Sequence, residues 1–245
     1  MEFCKGFSNN MENNMNSLKK TARLAGILYC VWVITGLYGL MYLPSKIMVR
    51  GDVVATANNI IAHEFLFRTG IINDLLSSII GVFLILALYR LFKLVNERQA
   101  TLMVALLMVT VPVSFIMEAF NISSLLILKG EILKTFELSH RQDVAMLFLK
   151  INDYGVLTLE MFWGLWLIPL AILVYRSHFL PRFLGIWLAI NGFAYVVLSF
   201  TSILFPQYKD MVYNISIPAF FGELAFALWL LIKGVKSNIP AIDKQ

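Results

Sequence analysis

The sequence predicts an all-α polytopic membrane protein: a bundle of six transmembrane helices, with short amphipathic helices in its two long outer loops. Three observations carry that prediction. The chain is 59% hydrophobic and only 14% charged, whereas a soluble domain is about half apolar and about a quarter charged. Its apolar residues are gathered into long blocks bounded by charge. Each block is long enough, at about 1.5 Å per residue, to cross a hydrocarbon core of about 30 Å. Lipid offers no partner to an open backbone, so all the blocks should be helices.

Residues 1–18 form a polar, Asn-rich tail. Lys19, Lys20 and Arg23 lead from it into the first span, 24–43. That block is longer than a signal-peptide core and has no small-residue cleavage site before Pro44, so it is expected to stay uncleaved. Met11 and Met15 are alternative starts to Met1. The remaining spans fall at 70–92, 100–128, 155–175, 183–205 and 214–234. Together they make a transmembrane domain over 19–236, followed by a short tail at 237–245. In the loop 52–68, Asp52 can cap a helix, and Val53, Ala57, Ile60 and Ile61 follow near helical spacing. In the loop 139–150, Ser139 and Gln142 make a capping-box pattern, with Val144, Leu147, Phe148 and Ile151 on one stripe. Both segments are expected to lie on the outer membrane face, anchoring the protein or covering a cavity.

The formal charge of +5 sits at the span ends, where it orients the chain and meets anionic lipid; nucleic acid is not an expected partner. With the N-terminus inside, twelve Lys and Arg fall on the inner side and eight on the outer, although the outer loops are longer. The expectation is a multi-pass protein of the cell membrane with both termini cytoplasmic. Oligomeric state is left open.

Four acids lie inside the apolar stretches: Asp74, Glu118, Glu160 and Glu223. No Lys or Arg lies there to neutralise them. A charge in hydrocarbon costs several kcal/mol, so each acid must be protonated, bound to a cation, wetted or packed against polar groups. Counting from the span ends puts Asp74 and Glu160 about 22 Å above the inner interface and Glu223 about 15 Å above it, with Glu118 in the outer half. The four are candidates for one outward-facing pocket that binds a cation, a proton or a small cationic solute. Asn121, one turn beyond Glu118, and Arg68, at the mouth of the second span, join them as candidates. Asn73, Ser77, Ser78, Asn191, Tyr154, Tyr195 and Tyr213 could complete the shell. Pro112, Pro169 and Pro218 interrupt three spans and free carbonyls to line a polar cavity. Against this stands a plain structural role, each acid hydrogen-bonded to a neighbouring helix. Arg68 could equally snorkel at the interface.

Signatures of chemistry are sparse. Cys4 and Cys30 give no disulfide framework and no zinc cluster. His63 and His140 belong to outer loops and His178 to an inner turn, which excludes a three-His metal centre. There is no P-loop and no dinucleotide fingerprint, so no cofactor is expected and no catalytic residue is assigned. A carboxylate-only site for a hard cation stays open.

Several runs resemble a known family. They are Arg23-Leu24-Ala25-Gly26; Gly51-Asp52 with Thr56-Ala57-Asn58-Asn59-Ile60; Leu66-Phe67-Arg68; Asp74-Leu75; and Ala87-Leu88-Tyr89-Arg90-Leu91-Phe92-Lys93. Leu180-Pro181-Arg182-Phe183-Leu184-Gly185, Phe221-Gly222-Glu223-Leu224 and Leu228-Trp229-Leu230-Leu231-Ile232-Lys233-Gly234 complete the set. From about Leu18 to Val235 the chain resembles the bacterial membrane family "domain of unknown function 4386". The resemblance implies a multi-span membrane protein and implies no activity. Arg68, Asp74 and Glu223 fall within its motifs.

Three functions fit these residues. The first is a non-enzymatic binding protein or carrier that uses the acidic pocket. The second is an intramembrane lipid-modifying enzyme with paired carboxylates as acid and base. The third is a non-catalytic assembly partner whose acids satisfy other helices.

Overall fold

A computed structural model describes residues 2–235, with side chains placed from residue 16 onward. Among the described residues all regular structure is helical. In chain order the helices are α1 (Glu2–Leu37), α2 (Leu43–Ile47), α3 (Val53–Ala62), α4 (Glu64–Phe92), α5 (Glu97–Met108), α6 (Thr110–Leu128), α7 (Leu138–Arg176), α8 (Arg182–Leu204) and α9 (Lys209–Ile232). Six stretches are long and apolar enough to cross a membrane: Asn16–Ile47, Glu64–Phe92, Glu97–Leu128, Leu138–Arg176, Arg182–Leu204 and Pro206–Ile232. They are the six predicted spans, several of them longer than hydropathy alone marked. The N-terminal tail is helical and runs without a break into the first span. The predicted C-terminal tail lies outside the described residues.

Proline explains two interruptions. Between α1 and α2 the chain makes a π-helical turn, Tyr38–Tyr42, in which the Leu43 N–H reaches back to the Tyr38 carbonyl. Pro44 follows at once and has no N–H for the ordinary ladder. The third span is divided at Val109 between α5 and α6, where Pro112 has no N–H to bond the Met108 carbonyl four residues before it.

One of the two predicted loop helices stands as expected. Asp52 caps α3, its carboxylate accepting from the Ala55 N–H at 2.8 Å. The other is corrected: residues 139–150 are helical but form the first turns of α7, which runs 39 residues to Arg176. The helix starts at Leu138, so Ser139 is inside it rather than capping it. Its buried face is also rotated from the predicted stripe. Ala145 and Leu149 are buried while Leu147 is exposed, because the Ser124 hydroxyl of α6 donates to the Ala145 carbonyl at 3.1 Å and sets the facing side.

The chain divides into two units. The first takes the residues through Val31, Gly81–Met108 and the chain from Glu160 onward. Here α7 is apolar nearly all round, burying Trp166, Leu167, Leu170, Ala171, Leu173 and Val174. Gly164 of α7 and Gly192 of α8 face each other, and a Cβ on either would overlap the other's carbonyl oxygen. Small residues of this kind let membrane helices approach to backbone contact, which matters where lipid removes the hydrophobic drive between helices.

The second unit takes Trp32–Ile80 and Val109–Leu159. Its core joins Ile47, Ala57, Ile60, Phe67, Ile71, Leu125, Leu128, Ala145 and Leu149. α3 is seated on this core by Thr56, whose hydroxyl accepts from the Val49 N–H at 3.0 Å, and by Asn59, which donates to the Ile47 carbonyl at 3.1 Å.

Replacing Gly164 by Ala should lower the thermal unfolding midpoint in detergent, by the equivalent of about 1–3 kcal/mol for overpacking. Gly36, whose Cβ would meet open space, serves as the control. Its replacement by Ala should leave the midpoint unchanged or raise it slightly, since Ala is the better helix former by up to about 1 kcal/mol.

Candidate functional site

The most enclosed acid is Glu223, in the first unit. α9 carries it five residues after Pro218, and only 9% of it is exposed. Its Oε1 accepts the Tyr29 hydroxyl of α1 at 2.6 Å, and its Oε2 accepts the Asn191 amide of α8 at 3.0 Å. The Tyr195 hydroxyl, one turn beyond Asn191 on the same helix, is directed at the same carboxylate. Tyr29 is held by ring contacts with Phe226 and Trp166 at 5.8 and 6.1 Å. All these donors are neutral. Asn191 is fully buried, and its Oδ1 has no hydrogen-bond partner.

Glu160 of α7 belongs to the same unit. Its Oε2 is buried without a partner. Lys209, at the start of α9, and Tyr195 both lie within electrostatic range of it.

Asp74 and Glu118 are in the second unit, within electrostatic range of each other. Asn73 donates to Asp74 Oδ1 at 2.9 Å, and the same amide nitrogen donates to the Thr35 carbonyl at 2.9 Å. The Thr35 hydroxyl in turn donates to Ser77 at 2.9 Å. Gly39, in the π-helical turn, lets the carboxylate come against the backbone, since a Cβ there would overlap Asp74 Oδ1. Glu118 is buried and accepts the Asn121 amide at 3.0 Å. Asn152 lies beside it and donates to the Met117 carbonyl at 3.1 Å.

The acids thus divide into two pairs, one in each unit, each pair described by its own neighbours. Arg68 does not bond any of the four. It pairs with Glu64 on its own helix at 2.8 Å, half exposed. Lys129 bonds the same Glu64, and Glu131 beside it, then Glu64, hold its ammonium pKa above the usual range. Ser78 turns back to the Asp74 carbonyl, Tyr154 is exposed, and Tyr213 meets the Phe220 ring. Tyr29, Thr35, Gly39 and Asn152 are the partners that sequence reasoning missed. Tyr29 and Gly39 look like any other residue of an apolar block, and Thr35 acts through its backbone. Asn152 precedes the predicted start of its span, and only the early start of α7 brings it into register. Among the described residues no group of three or more His, Cys, Asp or Glu is placed to hold a metal ion.

Six apolar helical spans with amide-bonded acids inside them define an integral membrane protein. The chain belongs to the family described as Domain of unknown function (DUF4386), whose sequence profile matches residues 24–234. It is also similar to an uncharacterized protein of Archaeoglobus fulgidus, 32% identical over 164 residues, which cover 65% of this chain and 85% of that protein. No solved structure matches the chain.

Glu223→Gln keeps an oxygen for Tyr29 and, with the Asn191 amide turned over, a donor for Oδ1. Its unfolding midpoint in detergent should stay within the equivalent of about 1 kcal/mol of wild type. Glu223→Leu strands a buried hydroxyl and a buried amide, each worth about 1–3 kcal/mol, and should unfold well below both.

Proposed function

We propose that this chain is a non-enzymatic proton-binding membrane protein of the carrier type, with Glu223 as the group that takes up and releases the proton. The observation that supports it most is the neutral, invertible setting of that carboxylate. A permanently charged carboxylate in hydrocarbon calls for a cation, and Glu223 has only hydroxyl and amide donors. Those donors suit the ionised form. The Asn191 Oδ1, buried and unpartnered, suits the protonated form: when the amide turns over, it accepts the new Glu223 O–H. Both states then keep their hydrogen bonds, which a reversible proton site needs. The groups facing Glu223 are Tyr29 from α1 and Asn191 and Tyr195 from α8. A proton requires one such carboxylate, whereas a hard cation would need several oxygen ligands together.

A structural role has its own support, because both Glu223 oxygens are already bonded across helices. Infrared titration of the purified protein separates the two. The proton reading expects a carboxyl C=O band that comes and goes reversibly with pH and is missing from Glu223→Gln. A spectrum with no such band, or one unchanged in the variant, would refute it.

The reading sets both termini in the cytoplasm, supported by the dense basic residues in the turns at 93–99 and 176–182. With Cys4 and Cys30 replaced by Ser, a Lys134→Cys variant in intact cells should react with a membrane-impermeant maleimide. A Glu97→Cys variant should react only after the membrane is opened. The reverse pattern would invert the topology.

A further inference from the structure

The second unit holds a cavity of about 310 Å³ at the ends of its spans. That volume is at the low end of the range of about 300–1,000 Å³ seen for small-molecule sites. α3 supplies one wall with Asn58, Ile61 and Ala62. Leu128, the last residue of α6, and Leu138 and Gln142, in the first turns of α7, supply the other. Every lining residue is uncharged. Arg141, next to Gln142 in the chain, lies instead against Gly130, where a Cβ would overlap its Nη1. Gln142 is 8% exposed, and its amide makes no hydrogen bond among the described residues. Leaving a buried amide unpaired is costly, so one that lines a cavity calls for a partner there. Asn58 makes no hydrogen bond either, whereas Asn59 beside it seats α3 on the Ile47 carbonyl. Two primary amides offer donors and acceptors together and no counter-charge. They suit a neutral group that donates and accepts at once, a hydroxyl, and would leave a carboxylate or an ammonium uncompensated. The rest of the lining is apolar, and Ile61 and Leu138 are exposed. Glu64 begins a span two residues after Ala62, and Leu128 ends another. The cavity therefore stands at the membrane–water boundary, the level at which amphiphiles place their heads.

We propose that this cavity binds a neutral amphiphile with a hydroxyl head and an apolar chain. The head exchanges hydrogen bonds with the Gln142 and Asn58 amides. The chain lies against Ala62 and Leu128 and leaves past Ile61 and Leu138. No covalent bond is made or broken, and Glu223, in the first unit, takes no part.

The test is photolabelling of the intact chain in phosphatidylcholine vesicles with a diazirine derivative of 1-octanol, the adducts being mapped by mass spectrometry. Adducts should concentrate at 57–62 and 138–142. Excess 1-octanol should compete for those two segments, and octane and octanoate should not. Gln142→Leu replaces the unpaired amide by an apolar group of similar size and should fold at least as well as wild type. In it, the 1-octanol concentration needed to compete should rise about tenfold, the equivalent of one hydrogen bond. Ala62→Trp fills the cavity from its exposed rim and should remove labelling at both segments while sparing background labelling elsewhere. Adducts spread over the spans with no excess at the two segments overturn the site. Competition by octane or octanoate as strong as by 1-octanol overturns the hydroxyl head, as does a Gln142→Leu protein that matches wild type. Each of these outcomes leaves the reading of Glu223 untouched.

Discussion

A carboxylate inside hydrocarbon with no cation beside it is the constraint around which the rest is arranged. The size of the effect decides how it is met. Burying an ion costs several kcal/mol even after relaxation. A hydrogen bond to a charged group returns about 1.5–3 kcal/mol. Two or three neutral donors on Glu223 are therefore of the same order as the penalty they oppose. The reading of Glu223 as a proton site requires such a balance, since reversible proton uptake needs both protonation states to be accommodated. Replacing a neutral donor by arginine would tip the balance and lock the charge in place.

Close backbone approach makes these short hydrogen bonds possible. Lipid tails are as apolar as leucine, so helices in a bilayer gain little from hiding apolar surface against one another. In the first unit the Gly164 and Gly192 backbones meet directly, which holds α7 beside the helix that carries Asn191 and Tyr195. In the second unit Gly39 admits the Asp74 carboxylate against the π-helical turn. The turn itself sits where Pro44 interrupts the regular ladder. Tight contacts and local breaks thus occur beside the acids.

What the sequence could reveal follows from how local each signal is. Six spans were legible because hydropathy blocks and helix length are properties of contiguous residues. The Asp52 cap was legible for the same reason, since cap and capped N–H are three residues apart. The start of α7 was misread because Ser139 and Gln142 carry a local capping pattern, whereas the continuous helix is set by packing on Ser124 across 21 residues. Asn121 was found beside Glu118 because it is one turn away. Tyr29 was not found because 194 residues separate it from Glu223, and a tyrosine within a span has no mark of its own. Arg68 drew notice as a lone cation near acids, but Glu64, one turn back on the same helix, is its partner.

The same distinction separates the acids from one another. Asp74 and Glu118 accept from Asn73 and Asn121, neighbours on their own helices. Those pairs can form as soon as each helix does, before any helix packs on another. Glu223 instead takes its donors from α1 and α8 while it stands on α9. That arrangement exists only when three helices are in place, so the bonds report on packing and packing in turn responds to them. Asp74 reaches the first span only through the Asn73 amide, which also donates to the Thr35 carbonyl, and through its seat against Gly39, whereas a proton at Glu223 changes direct bonds that join three helices. By linkage, the arrangement of helices with the better donors for one protonation state is the one that state favours. In the proton-site reading, Glu223 is therefore the acid whose own bonds would couple a proton to the arrangement of three helices, which is the requirement a carrier adds to mere binding.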